Sequence, residues 1–366
     1  MKNIKNKQYL LLIVAAMLLI VIIVSIFTIN MKKEDTVKIG LILTGATTDE
    51  GWNGMHYQGV SLACETLDVE LVVKENVAEG SGQCKSAIDE LVKEDVSMII
   101  LSSYAYPTEV RETIQQYPQV SFYGISAEYT ADNMTSYFGR MYQARYLAGI
   151  VAGMKTENNV IGYVAAMPNN EVNRGINAFT LGVKSVNPDA TVNVVWTNEW
   201  ENEEKETEAA ELLMNEVGAD VLTYHQNQHY VAQKADEAGV YSIGYNAVAQ
   251  GLSEKYLTAA VWDWNALYYQ IIREYLQGKG NSVERHWFSL DTGVVALSEC
   301  SPLVGEDILQ QIETAKHKMS EGNQIFSGVI YDNKGVLQCN EGESISDDIL
   351  LKKMDWFVDG VVIYEE

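Results

Sequence analysis

The sequence predicts an α/β protein of two doubly wound, parallel-sheet lobes facing each other across a ligand cleft. Three observations predict it. From Lys38 onward, short apolar runs alternate with amphipathic stretches, and strand–helix–strand alternation argues a parallel sheet. Most of those runs are apolar throughout, as in strands covered on both faces. The portion beyond the N-terminal segment is longer than the roughly 300 residues at which one core stops growing.

The elements follow in order. Lys2, Lys5 and Lys7 precede an apolar run from Tyr9 to Ile29, broken by Ser25 and Thr28 and closed by Lys32 and Lys33. A run of that length matches a hydrocarbon core of roughly 30 Å. It is long for a secretory signal, shows no A-x-A-like cleavage site, and no cysteine follows it closely. Residues 1–33 are therefore expected to be a transmembrane signal anchor, with Lys2–Lys7 inside and everything after Met31 outside. A long cleaved signal peptide is the alternative.

The first lobe is expected over 37–140. Its strands are Lys38–Leu43, Glu70–Asn76, Ser97–Ser102, Val120–Ile125 and Thr135–Phe138, with helices near Met55–Leu67, Gln83–Lys93 and Pro107–Gln116. A helix at Tyr142–Met154 restarts the alternation. Strands at Val160–Ala166, Thr191–Trp196, Asp220–Tyr224 and Val240–Tyr245 give a second lobe over 141–262. A strand at Leu257–Trp264, a helix near Asn265–Gln277, a strand at Gly293–Ser298 and a helix near Glu306–Met319 are too few for a third domain. The chain is thus expected to recross, with 264–290 returning to the first lobe and 291–325 to the second. Residues 326–366 are left as a C-terminal extension.

Composition narrows the function. Twenty-six Lys+Arg against fifty Asp+Glu give a net charge of −24. Nucleic-acid binding needs basic groups to displace counterions at phosphates, so no nucleic-acid partner is expected. Cys64, Cys84, Cys300 and Cys339 form no CxxC pair, against zinc-ribbon and thioredoxin-like sites. In an exported chain they leave open two disulfides, Cys64–Cys84 and Cys300–Cys339, or four thiols.

Ligands of open α/β sheets bind outside the carboxyl ends of strands. The first such loop, 44–53, has neither GxGxxG nor a P-loop lysine, and its Asp49 and Glu50 would repel phosphate. Trp52 offers a flat π-face, and Asn53 a planar amide with one acceptor and two donors. The pair suits a planar heterocycle; otherwise Asp49 caps a helix and Trp52 anchors the core. Trp262 and Trp264 share a face if both lie on one strand; otherwise they pack at the hinge. Tyr104 and Tyr106 repeat that spacing. Stacking on such rings is worth roughly 1–3 kcal/mol per base.

His225 and His229 lie four apart but without HExxH. A neutral hydrogen bond from His225 to a ligand is expected rather than a metal. Asn246 is a second planar amide, or a turn residue with positive φ. Tyr104 and Met167 complete the walls. No GxSxG, Cys/His signature or EF-hand spacing is present, so no catalytic residue, metal or cofactor is expected. Asp49 and Asp263 leave an acid/base pair open.

Four segments then carry a family resemblance: 137–153 (YFGRMYQARYLAGIVAG), 161–168 (IGYVAAMP), 173–182 (NRGINAFTLG) and 238–246 (AGVYSIGYN). They resemble the basic membrane protein family, substrate-binding proteins of ABC importers that include purine nucleoside receptors. The resemblance runs from about Lys38 to the C-terminus. It implies a type I periplasmic-binding-protein fold, no enzymatic activity and an ABC permease as partner. In nucleoside-binding members an aromatic–Asn pair follows the first strand, matched here by Trp52 and Asn53. Those members hold ribose with an Asp where this chain has Asn246 and a Lys where it has Trp262. A second branch is more similar, with Gly51-Trp52-Asn53, His225, Gly244-Tyr245-Asn246 and Trp262-x-Trp264, and is associated with free purine bases such as adenine. The family's lipid-anchored cysteine is missing, which leaves tethering to the apolar helix.

The expectation is an extracytoplasmic, membrane-tethered receptor for a purine base or nucleoside. Trp52 and Trp262 would stack on the ligand, and Asn53, His225 and Asn246 would read its edge. Tyr104, Met167, Trp264 and Asp49 would complete the site. A ligand sensor acting on a signalling partner, and a nucleosidase using Asp49 and Asp263, remain the alternatives.

Overall fold

The computed structural model describes residues 36–49, 51–279 and 285–364. The expected anchor, like Glu50, lies outside the described residues. Among the described residues, no helix is long and apolar enough to cross a membrane.

The chain first lays down β1 (Lys38–Ile42), β2 (Glu70–Lys74), β3 (Met98–Leu101), β4 (Ser121–Ile125) and β5 (Met134–Gly139). It then forms β6 (Val160–Ala165), β7 (Thr191–Trp196), β8 (Val221–His225), β9 (Tyr241–Asn246) and β10 (Tyr256–Trp262). The recrossings follow. β11 (His286–Phe288) joins the first sheet, in the order β11-β5-β4-β3-β1-β2. β12 (Val295–Leu297) joins the second. After a small hairpin, β13 (Ile330–Tyr331) and β14 (Leu337–Cys339), comes β15 (Val361–Tyr364). The second sheet reads β12-β10-β9-β8-β6-β7-β15. Every pairing in the two large sheets is parallel except β10 with β12. β3, β4 and β5 are buried along their whole length, as strands covered on both faces must be.

Five helices position the site: α1 (Trp52–Thr66), α2 (Met141–Lys155), α3 (Asn170–Val186), α4 (Trp264–Leu276) and α5 (Asp347–Lys352). α1 and α4 pack at Gly59, where a Cβ would fall 2.7 Å from the Trp264 Cβ. α2 and α3 are in backbone contact. A Cβ on Gly149 would lie 2.0 Å from the Phe179 carbonyl oxygen, and one on Gly182 2.1 Å from that of Tyr146.

One expectation is corrected here, and one open alternative is decided. Trp264 does not continue a strand: Asp263 accepts the Ala266 amide at 2.8 Å and starts α4. The strand therefore ends at Trp262, and the two indoles cannot share a strand face. The four cysteines are free thiols. Cys64 packs with Ile39 and Leu41 and Cys84 with Ile42, so alternation along β1 puts them on opposite faces of the sheet.

The C-terminal segment is tied to α3. Asn173 donates to the Met354 carbonyl, and Asn177 donates to that of Trp356 while accepting the Val358 amide. Arg174 donates to the Leu350 carbonyl. Asp347, the first residue of α5, takes both ends of the Arg140 guanidinium, at 2.8 and 2.5 Å.

Candidate functional site

The chain passes between the sheets at Arg140, at Asp263 and at 289–294. Aromatic rings fill this hinge. Trp262 stacks on Trp264 at 4.7 Å and 15°, and Phe138 lies 4.8 Å away on Trp262. Gly139 makes room for them, since a Cβ there would sit 2.5 Å from Trp262 Cζ3. Trp287 donates to the Gly139 carbonyl at 3.0 Å.

On the first lobe, the 44–53 loop is a scaffold that aims Trp52. Asp49 accepts the Gly51 and Gly54 amides at 3.1 and 2.8 Å, which caps α1. Gly54 is required there, because a Cβ would fall 1.9 Å from the Asp49 carbonyl oxygen. The Asn53 oxygen accepts from Thr44 and the Gly45 amide, and its nitrogen donates to Asp49 at 2.7 Å. Its amide is thus engaged within its own loop. The Trp52 indole donates to the Ser102 carbonyl at 2.9 Å and meets His56 and Trp264 edge-on. Burial holds the His56 imidazole down at about 3.

The second lobe supplies polar groups at the ends of adjacent strands. Asn246 closes β9 at φ 69° and is only 7% exposed. Its amide nitrogen reaches across to Met55 Sδ at 3.5 Å, and its oxygen has no partner. His225 closes β8 with its ring 4.1 Å from Tyr245, and its Nδ1 has no partner. Burial, reinforced by the Arg145 and Arg174 guanidiniums, holds His225 well below the usual imidazole range, hence neutral. Arg145 lies over the Tyr245 ring at 4.2 Å and donates to the Tyr224 carbonyl at 2.7 Å.

The other expected residues fall in different places. Tyr104 is exposed and donates to Glu128 at 2.6 Å; partial burial and that carboxylate push its phenol up to about 12. Tyr106 is buried and bonds to the Val77 carbonyl, so these two tyrosines do not form one wall. Met167 is half-buried, and its carbonyl accepts the Asn169 amide just before α3. His229 bonds the Tyr224 hydroxyl at 2.8 Å. Among the described residues, no three His, Cys, Asp or Glu side chains could hold a metal. Asp49 and Asp263, the pair left open as acid and base, each cap a helix.

Sequence reading missed several participants. Arg145 carries a visible signal, a charge inside the apolar run of α2. Glu171 lies in the first turn of α3, where burial pushes its carboxyl up and Arg174 opposes the shift. Met55 and Tyr245 show none beyond their neighbours.

A profile described as ABC transporter substrate-binding protein, PnrA-like (Bmp), matches residues 36–327. The chain belongs to this family. Among its Bmp relatives, a protein of Haloferax volcanii named as an ABC transporter glucose-binding protein is 33% identical, over 89% of this chain and 81% of its own. A purine-binding protein of Brucella abortus is 30% identical, over 90% of this chain and 93% of its own. Among solved structures, a transcriptional activator of the comK gene from Bacillus halodurans superposes with TM-score 0.70 at 26% identity, over 78% of this chain and 99% of that one. An ABC transporter solute-binding protein from Conexibacter woesei shares the fold, with TM-score 0.65 at 19% identity over 78% and 97%. This Bmp chain has the type I periplasmic-binding-protein fold and is a substrate-binding protein of the ABC-transporter kind, whose members act outside the cytoplasm.

Proposed function

We propose that the protein is a membrane-tethered receptor that captures a free purine base, adenine or a close analogue, and presents it to an ABC permease. The Asn246 amide carries this reading. It is buried, reaches from the second lobe to Met55 of the first, is bound only weakly through its nitrogen, and is unpartnered at its oxygen. A planar amide pairs in two-point fashion with adenine, donating to a ring nitrogen and accepting from the exocyclic amine. Trp52 supplies a stacking face, and neutral His225 one further hydrogen bond. No Asp–Lys pair stands at 246 and 262 to grip a ribose, which favours the base over the nucleoside. Asp49 and Asn53 act through the loop that holds Trp52, and Trp262 and Trp264 through the hinge. Closure on the ligand drives transport because the permease binds the closed form more tightly; only such differential affinity shifts the equilibrium.

The Haloferax relative's name makes glucose the competing ligand, and titration calorimetry separates the two. Adenine is expected to bind at micromolar Kd or tighter, with glucose silent. Glucose binding without adenine binding overturns the proposal. A sensing role is the second reading. It is favoured by the Bacillus halodurans activator and by the transcriptional activator protein med of Bacillus subtilis, 27% identical over 75% of this chain. Crosslinking of the ligand-loaded protein in membranes decides it: capture of a permease supports transport, and capture of a signalling protein alone supports sensing.

A further inference from the structure

We infer that α5, the short helix of the C-terminal segment, is a latch on the hinge. By holding Arg140 and Arg174 against Trp287, it keeps the two lobes in the arrangement in which they meet across the ligand gap. The inference goes beyond the ligand reading and does not depend on it. The family profile ends at residue 327, so α5 lies in a segment that the profile does not cover.

That segment is fastened to the second lobe. β15 pairs in parallel with β7, and Asn173 and Asn177 of α3 bond the backbone at Met354, Trp356 and Val358. Leu350 and Met354 are buried in the same apolar cluster as Leu147 of α2 and Phe179 of α3. From that anchor α5 reaches the hinge. Its first residue, Asp347, takes both ends of the Arg140 guanidinium, and Arg140 is the single residue between β5 of the first sheet and α2. A two-pronged pair of this kind fixes orientation as well as distance. Arg140 lies over the Trp287 ring at 4.2 Å, and Arg174 approaches the same ring at 5.1 Å. Trp287 belongs to the first lobe: it stands on β11 opposite Phe138 and donates to the Gly139 carbonyl. Arg174 belongs to α3 and donates to the Leu350 carbonyl of α5 at 2.7 Å. Leu351 of α5 also borders the first lobe, lining a small cavity with Ser126, Ser136 and Arg285.

Rotation of the lobes about the Arg140 crossing must slide Trp287, which moves with β11, past Arg174, which moves with α3. Hinges confine such motion to a few residues, and α5 grips both guanidiniums at this one. With the grip in place, Asn246 of the second lobe stands 3.5 Å from Met55 of the first. The Asp347 side chain is 52% exposed, and ion pairs so placed contribute modestly. That strength biases an equilibrium between two lobe arrangements without locking it.

The test uses the full chain without ligand. It carries spin labels on Glu79→Cys and Glu201→Cys, exposed positions in the loops after β2 and β7, with the half-buried Cys300 replaced by serine. Pulsed electron spin resonance reads the distance between the labels. Asp347→Ala is expected to raise the population at longer distances at least about threefold. Asp347→Glu keeps the carboxylate and is expected to return the distribution toward that of the parent. A distribution unchanged in Asp347→Ala overturns the inference, as does an equal change in Asp347→Glu. A chain that binds no purine overturns the ligand reading and leaves this result standing, because no ligand enters the measurement.

Discussion

Replacing Asn246 by glycine separates binding from folding at the position that matters most. The residue sits at φ 69°, a conformation glycine adopts without strain. The amide it would lose is poorly used in the unliganded protein, with one contact to Met55 Sδ at 3.5 Å and a buried oxygen with no partner. Leaving such a carbonyl unpaired costs about 1–3 kcal/mol. Removing it offsets the roughly 0.5–1 kcal/mol of chain entropy that glycine adds. Unfolding free energy is therefore expected to stay within about 1 kcal/mol of the parent. Adenine binding loses a two-point contact worth about 1–3 kcal/mol, which raises Kd roughly 5- to 150-fold. Calorimetry with adenine and urea unfolding monitored by fluorescence measure the two quantities on one sample. A Kd within threefold of the parent refutes the assignment of Asn246. A loss of stability above about 3 kcal/mol refutes the view that its amide is idle in the fold.

Three further outcomes follow from the geometry. Trp52→Ala is expected to weaken adenine binding at least tenfold, about 1.4 kcal/mol; an unchanged calorimetric Kd would remove Trp52 from the wall. Gly149→Ala drives a methyl to 2.0 Å from the Phe179 carbonyl oxygen. Backbone cannot yield as a side chain does, so about 3 kcal/mol of stability should be lost, read as a lower urea midpoint; a parental midpoint would contradict the close crossing of α2 and α3. Acid should destabilise the fold through His56, held down at about 3 by burial against about 6.5 when unfolded. Because the unfolded chain takes the proton first, stability is complete above about pH 6.5 and is lost as pH falls toward 3, at about 1.4 kcal/mol per unit for each such histidine, and His225, also held low by burial, adds to the loss in the same sense. Glu206, pushed up to about 7 by burial, works in the opposite sense, so the comparison of pH 7 with pH 5 belongs in a Glu206→Gln chain. Equal stability at the two values would show neither His56 nor His225 to be shielded from protonation.

The two sheets were legible because their strands are locally encoded. Met98–Leu101 and Ser121–Ile125 are apolar runs bounded by helical patterns, and each lies buried where expected. β15 was not, although its VVIY run is plain in the sequence. It pairs Val361 with Val192, and no local pattern specifies so distant a neighbour. The tryptophan pair shows how one residue redirects an inference. Trp262 and Trp264 have strand spacing, but Asp263 between them is a good helix cap, and capping prevailed. Asn53 and Asn246 illustrate a different limit. Two planar amides after strands read alike in sequence; the first is consumed by Thr44, Gly45 and Asp49, while the second is left with an unpaired oxygen.

The small molecule carried by the purified protein tests the central claim most directly. The protein is denatured, and what it releases is identified by mass spectrometry. A free purine base, near one equivalent per chain, is the result expected of a cleft built from Trp52, His225 and Asn246. A hexose released in the same proportion would contradict it.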